Sequence, residues 1–123
     1  MPVTARRHIR KMRGGAQSHL VEASDGRFYV VKLRNNPQHR RVLVNECVAS
    51  VLLRYLEIPA PEVRVVELDA AFLTANPTMA IELGGRRIPA EPGWHFGSCY
   101  PGHPDRIAVY DFIPDALLGR VVN

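Results

Sequence analysis

An α+β domain, with a curved and mainly antiparallel sheet packed on one long helix, is what this 123-residue sequence predicts. Three observations lead there. Short runs of alternating apolar and polar residues, bounded by turn residues, recur in the first third of the chain and again past its middle. Between them, residues 36–56 repeat their apolar positions at helical spacing. Finally, the length suits a single modest core, and no linker, internal repeat or low-complexity tract divides it, so residues 1–123 read as one unit.

The elements follow in order. His8 to Arg13 is a candidate strand, followed by the tight turn Gly14-Gly15-Ala16-Gln17. Ser18 to Ala23 alternates, with Leu20 opposed by His19 and Val21. Ser24-Asp25-Gly26 is a hairpin signal, because Asp-Gly tolerates the positive dihedrals of tight turns. Arg27 to Arg34 supplies the aromatic and β-branched residues that suit a pleated surface.

The strongest helix comes next. Asn36 can cap it and Pro37 suits its first position, and it runs to about Leu56 before Ile58-Pro59-Ala60-Pro61 stops it. On a helical wheel Val44, Cys47, Val48, Val51, Leu52, Tyr55 and Leu56 form a broad apolar arc, expected to pack on the sheet. Glu46, Ser50 and Arg54 share the narrow polar arc, with Glu46 at its edge near Val42 and Leu53.

Glu62 to Leu68 reads as a strand and Asp69 to Asn76 as a helical turn. Met79 to Leu83 and Arg86 to Pro89 bracket a Gly84-Gly85 hairpin turn. Glu91 to Pro104, rich in Pro and Gly, reads as an irregular strand and loop. Ile107 to Ile113 is a final candidate strand, and Pro114 to Val121 begins a helix. The expected order is β-β-β-α-β-β-β.

Bulk properties narrow the function classes. An apolar fraction of 46% with 23% charged residues is ordinary for a globular protein. No apolar run approaches the roughly 20 residues of a membrane span. The N-terminus carries arginines where a signal peptide has its apolar core, and two cysteines make no disulfide framework, so a cytoplasmic location is expected. The net charge of +4 comes from scattered arginines without interleaved aromatics, which does not make a nucleic-acid surface.

Three features carry chemistry. The turn Gly14, Gly15, Ala16, Gln17, Ser18 lies between two strands, and small residues let backbone N–H groups approach phosphate oxygens. It is neither a Walker A sequence nor a GxGxxG motif. Lys32 shares a strand face with Phe28 and Val30, a cation on an otherwise apolar surface. It reads either as an edge lysine whose amine reaches water or as a phosphate clamp. Glu46 reads either as a solvated helix glutamate or as the partner that orients such a lysine. Glycine turn, strand lysine and helix glutamate in that order reproduce the small-lobe logic of kinases.

The segments GGAQSHLVEASDGRFYVVKL and NECVASVLLRYLEIPAPEVRVVEL resemble the N-terminal lobe of HipA-like kinases over about Arg13 to Leu68. The resemblance implies a protein-kinase-like small lobe that binds ATP. It implies that Gly15, Ala16, Gln17 and Ser18 are phosphate-loop positions, with Gly14 opening the turn. Lys32 would contact the α/β-phosphates, and Glu46 would orient it. The GWHFGSCYPGHP and VYDFIPD segments would approach the interlobe hinge.

A working kinase also needs a catalytic-loop Asp and metal-binding Asn and Asp from the large lobe. His103-Pro104-Asp105 and Asp111-Phe112-Ile113 imitate those motifs, but they lie too close together and Ile113 stands where glycine belongs. An incomplete kinase domain is therefore expected, inactive alone, with magnesium recruited only beside a large lobe. Its partners would be ATP and either a separate large lobe or a second copy of itself. The alternative is a non-catalytic protein- or nucleic-acid-binding module that keeps the small-lobe fold. His95, Cys99 and His103 are spaced four apart, with Cys47 a possible fourth soft ligand, but the intervening Gly97, Pro101 and Gly102 argue against a helical metal site.

Overall fold

The computed structural model describes residues 1–14, 16–36, 41–107 and 114–120. Its strands are β1 (Val3–Lys11), β2 (His19–Ala23), β3 (Phe28–Lys32), β4 (Val63–Leu68), β5 (Ala80–Leu83), β6 (Arg86–Pro89) and β7 (Gly93–Cys99). Its helices are α1 (Arg41–Tyr55), α2 (Ala70–Ala75) and α3 (Asp115–Leu118). The α+β expectation holds, and the curved, mainly antiparallel sheet goes further than expected by closing on itself. Five strands close into a barrel in the order β1-β2-β3-β7-β4, and β5 with β6 forms a separate hairpin. All barrel pairs are antiparallel except β1 with β4, where Val3 pairs with Val66 and Thr4 with Glu67. That parallel pair closes the ring and leaves the barrel no free edge.

Strand alternation sorts the side chains. Val3, Ala5, Val21, Tyr29, Val31, Val66 and Leu68 point inward and form one buried cluster with Phe72, Met79 and Ile81. The opposite face of β2 and β3 carries a second cluster, Leu20, Phe28 and Tyr100, flanked by Ile9, Met12 and Val30. A short α2 plugs the first cluster with Phe72, and the Asp69 carboxylate caps it by accepting from the Phe72 N–H at 2.7 Å. The β5–β6 turn places Gly84 and Gly85 at φ 55° and 77°, as the Gly-Gly pair predicts.

Strand β7 is more regular than expected. Its stretch, Glu91 to Pro104, reads as an irregular strand and loop from its prolines and glycines, and β7 within it is a full strand of the barrel wall, bonded to both β3 and β4. Gly97 explains its composition. A Cβ there would lie 2.4 Å from Val66 Cγ2 and 3.1 Å from the Arg64 carbonyl, so the barrel wall closes only over a bare backbone. The glycine that weakens the strand signal in sequence is what lets the strand sit inside the sheet.

Helix α1 overturns an expectation. None of its residues is buried, and the broad apolar arc does not pack on the sheet. Val44, Val48, Val51, Leu52 and Tyr55 are all more than half exposed. The half-buried positions are Val42, Leu43, Glu46, Ser50 and Leu53, so the arc that carries Glu46 is the one turned toward the barrel. The helix ends in a Schellman arrangement, with Ile58 N–H on the Leu53 carbonyl, Glu57 N–H on the Arg54 carbonyl and Glu57 at φ 56°. The expected start at Asn36-Pro37 cannot be compared, because residues 37–40 lie outside the described set, as do residues 108–113 of the expected last strand. Among the described residues, no helix is long and apolar enough to cross a membrane.

Replacing Gly97 by alanine should destabilise the chain by about 2 kcal/mol, the usual cost of forcing a methyl group into a closed wall. Denaturant midpoints of the variant and parent measure this directly. A variant within ~0.5 kcal/mol of the parent would show that β4 and β7 have room to part.

Candidate functional site

The residues singled out by sequence gather at one end of the barrel. Lys32 ends β3 and pairs in register with Phe96, while Val31 pairs with His19, the first residue of β2. The glycine turn that precedes β2 therefore lies at the same end as Lys32. Because Phe28, Val30 and Lys32 alternate onto the outer face of β3, the amine emerges beside the second apolar cluster, away from the barrel interior.

Glu46 reaches this amine across the gap between α1 and the barrel, and Lys32 Nζ donates to Glu46 Oε1. The two side chains are 23% and 37% exposed, so the pair is half-screened by solvent and contributes on the order of 0.2–1 kcal/mol to stability. Its effect is positional. It ties the Glu46 face of α1 to the end of β3 and holds the lysine amine beside that face.

The glycine turn is pinned from several directions. Gly14 sits at φ 114° and its carbonyl accepts from Gln17 N–H at 3.1 Å. Gln17, itself at φ 47°, makes a two-bond clamp on the β5–β6 hairpin. Its Nε2 donates to the Glu82 carbonyl at 2.6 Å, and its Oε1 accepts from the Glu82 N–H at 2.8 Å. Asn36, nearly buried, donates to the Ala16 carbonyl at 3.1 Å. The Ser18 carbonyl accepts from Met12 N–H at 2.7 Å, and Ser18 itself is buried. Gly15 is outside the described residues. Ala16, Gln17 and Ser18 are thus held by the Asn36 side chain, by the grip of Gln17 on the hairpin and by the Met12 N–H.

Two histidines missed as structural elements support this end of the molecule. His19 is fully buried, and its Nε2 donates to the Ala80 carbonyl at 3.0 Å. Its Nδ1 then accepts from His8 Nε2 at 3.1 Å, and His8 Nδ1 accepts from the Thr78 hydroxyl at 3.2 Å. The chain of bonds fixes both neutral tautomers and ties the β5–β6 hairpin to the barrel beside the turn. Burial pushes the His19 imidazole down to about 4 and lowers that of His8 as well. No sequence pattern marks His19 as buried, because a strand histidine flanked by serine and leucine suits either face.

The soft-ligand constellation comes apart. Both ring nitrogens of buried His95 are used, Nδ1 accepting from Arg34 N–H at 2.9 Å and Nε2 donating to the Glu91 carbonyl at 2.8 Å. Cys47 is exposed on α1, and the His103 ring lies edge-on against Phe28 at 5.0 Å. Among the described residues, no group of three His, Cys, Asp or Glu side chains could hold a metal. Asp105 is 88% exposed beside His103, and Asp111-Phe112-Ile113 is outside the described set. A groove of about 760 Å³ opens at the other end of β3, lined by Phe28, Pro61, Cys99, Tyr100 and His103 among others. It does not include Lys32, so cavity size and charged chemistry mark different ends of the same strand.

The structure brings strand Lys32 and helix Glu46 together, with the glycine turn at the same end of the barrel. The HipA-like kinase family model matches residues 6–108 of the chain. This chain belongs to the HipA-like kinase family. No curated protein and no solved structure matches it. The family match covers all of β1 from Arg6 onward through β7, and so contains every residue of the arrangement above.

The His19 environment predicts acid sensitivity. A histidine held neutral in the fold but free to protonate when unfolded contributes stability that is complete above about pH 6.5 and is lost as pH falls toward about 4. The loss should be on the order of 3 kcal/mol over that window. Chemical denaturation at pH 7.5, 5.5 and 4.5 measures it, and His19→Gln, which retains a donor for Ala80, should flatten the profile. An unchanged profile in that variant would place the acid sensitivity elsewhere.

Proposed function

We propose that this HipA-like kinase domain serves as the ATP-holding lobe of a phosphotransferase, with Lys32 as its phosphate clamp. The observation that carries the reading is the Lys32–Glu46 ion pair beside the pinned turn. A lysine at the rim of a rigid strand offers a fixed positive charge, and a carboxylate behind it stops the amine from folding onto other acceptors. The turn offers backbone N–H groups, and the bonds that hold Ala16, Gln17 and Ser18 lower the ordering cost of binding. Gly14, Gly15, Ala16, Gln17 and Ser18 are the loop positions of this proposal, with Gln17 acting through its grip on Glu82 rather than by touching phosphate.

The length of the surface suits a nucleotide. From Lys32 back to Phe28, β3 spans about 13 Å at a strand's rise of ~3.3 Å per residue. Its outer face is apolar along that path, with Val30, Ile9 and Met12 partly exposed. A triphosphate at the lysine end would leave a planar base over these side chains, toward the groove beside Tyr100.

The chemistry of transfer needs groups beyond this arrangement. A base for the accepting hydroxyl and ligands for magnesium would come from a large lobe, and no metal step is assigned to the residues described. Magnesium, when bound, would neutralise charge on the phosphates. Lys32 and the turn would position them. In this reading the 123-residue chain binds ATP and neither hydrolyses it nor phosphorylates itself.

Thermal unfolding with and without ATP tests the proposal. Saturating ATP should raise the melting temperature of the parent. Lys32→Ala should weaken apparent ATP affinity by roughly 10-fold or more, the usual worth of a charge-assisted contact, and Glu46→Gln should weaken it less. Equal stabilisation of parent and Lys32→Ala would remove the clamp. Stoichiometric phosphate release by the chain alone would overturn its dependence on a large lobe.

A further inference from the structure

We infer that the exposed face of α1 is a self-association surface, on which a second copy of the chain docks through its own α1, antiparallel and related by a twofold axis. The helix is apolar on two sides. Val42, Leu43 and Leu53 turn toward the barrel, while Val44, Cys47, Val48, Val51, Leu52 and Tyr55 face away from it. A helix with apolar residues all round is stable in water only when both sides are covered. The outward side is a continuous shallow groove and ridge, of about 490 Å³, formed by five of those residues.

Three properties select a second copy. First, the stripe is symmetric about its own midpoint, between Ala49 and Ser50. Antiparallel pairing brings Val44 level with Tyr55 of the second copy and Val48 level with its Val51, so each bulky end residue meets a small one and the centre is valine on valine. A patch that complements itself under twofold rotation is what an isologous interface requires. Second, the charges agree. The outward stripe carries no charge, and Arg54 of one helix comes level with Asn45 of the other rather than with another cation. The antiparallel helix dipoles also favour this arrangement.

Third, the area is sufficient. Tyr55 is 81% exposed, and an aromatic side chain buries roughly 150–250 Å² when covered. With the aliphatic residues the stripe offers on the order of 500 Å² per copy, or about 1,000 Å² in all, which reaches the lower limit for a specific interface. An interface of that size supports a dissociation constant on the order of 10 µM, not an obligate dimer. Glu46 lies on the barrel side of α1, so pairing through the stripe leaves the Lys32 contact undisturbed.

Sedimentation equilibrium of the 123-residue chain, from about 1 to 300 µM around the expected dissociation constant, tests the inference. A reversible monomer–dimer transition is expected. Val51→Glu places two carboxylates near the twofold axis and should weaken dimerisation by about 100-fold or more. Tyr55→Glu at the ends of the stripe should act in the same direction. Both positions are exposed in the monomer, so each variant should keep the parent's far-ultraviolet circular dichroism and melting temperature at low concentration. Thr74→Glu on α2, an exposed control, should dimerise like the parent. A parent that stays monomeric throughout, or folded Val51→Glu and Tyr55→Glu variants that dimerise as tightly as the parent, would overturn the inference and assign the stripe to a different partner.

Discussion

Barrel closure is the constraint on which the remaining structure depends. Once β1 pairs with β4 and β7 lies between β3 and β4, every strand has a committed inside and outside. The inside is filled by valine, leucine and tyrosine, leaving no place there for a charged side chain. Lys32 and its neighbours on the outer face of β3 are consequently displayed on a rigid wall. The closure itself turns on Gly97, where only a hydrogen fits between β7 and Val66.

The rim of that barrel is organised by polar bonds more than by packing. Gln17 grips the β5–β6 hairpin through the backbone of Glu82, and Asn36 holds the Ala16 carbonyl. The Thr78–His8–His19–Ala80 chain fastens the same hairpin from the other side. Each of these bonds is worth only about 1 kcal/mol net. Their joint effect is to hold Ala16, Gln17 and Ser18 against the hairpin. A loop free to sample many shapes would lose affinity in proportion to the fraction of time spent in the binding shape.

Helix α1 sets packing against electrostatics. Hydrophobicity alone would press the broad apolar arc onto the barrel, yet the narrow arc bearing Glu46 faces it. The exposed pair is too weak to reverse a buried helix face by itself. The inward arc, however, also carries Val42, Leu43 and Leu53, so the helix loses less by turning than its outward stripe suggests. A residue's place on a helical wheel says which neighbours share its face. It does not say which of two apolar faces the fold will choose.

Local chemistry was legible in the sequence wherever it is set by neighbours along the chain. The Asp-Gly and Gly-Gly turns, the strands around them, the helical turn over Asp69 to Asn76 and the helix stop before Pro59 all follow from dihedral preferences and short-range bonds. The order of turn, Lys32 and Glu46 was equally visible, and it identified the family. Tertiary structure alone decided the rest. The glycines and prolines around β7 made its strand look irregular because Gly97 answers to Val66, about thirty residues away. His19 is buried because Ala80 and His8 supply its bonds, and the face of α1 that meets the barrel carries the partner of a lysine on another element. Each of these outcomes depends on a partner brought close only by folding.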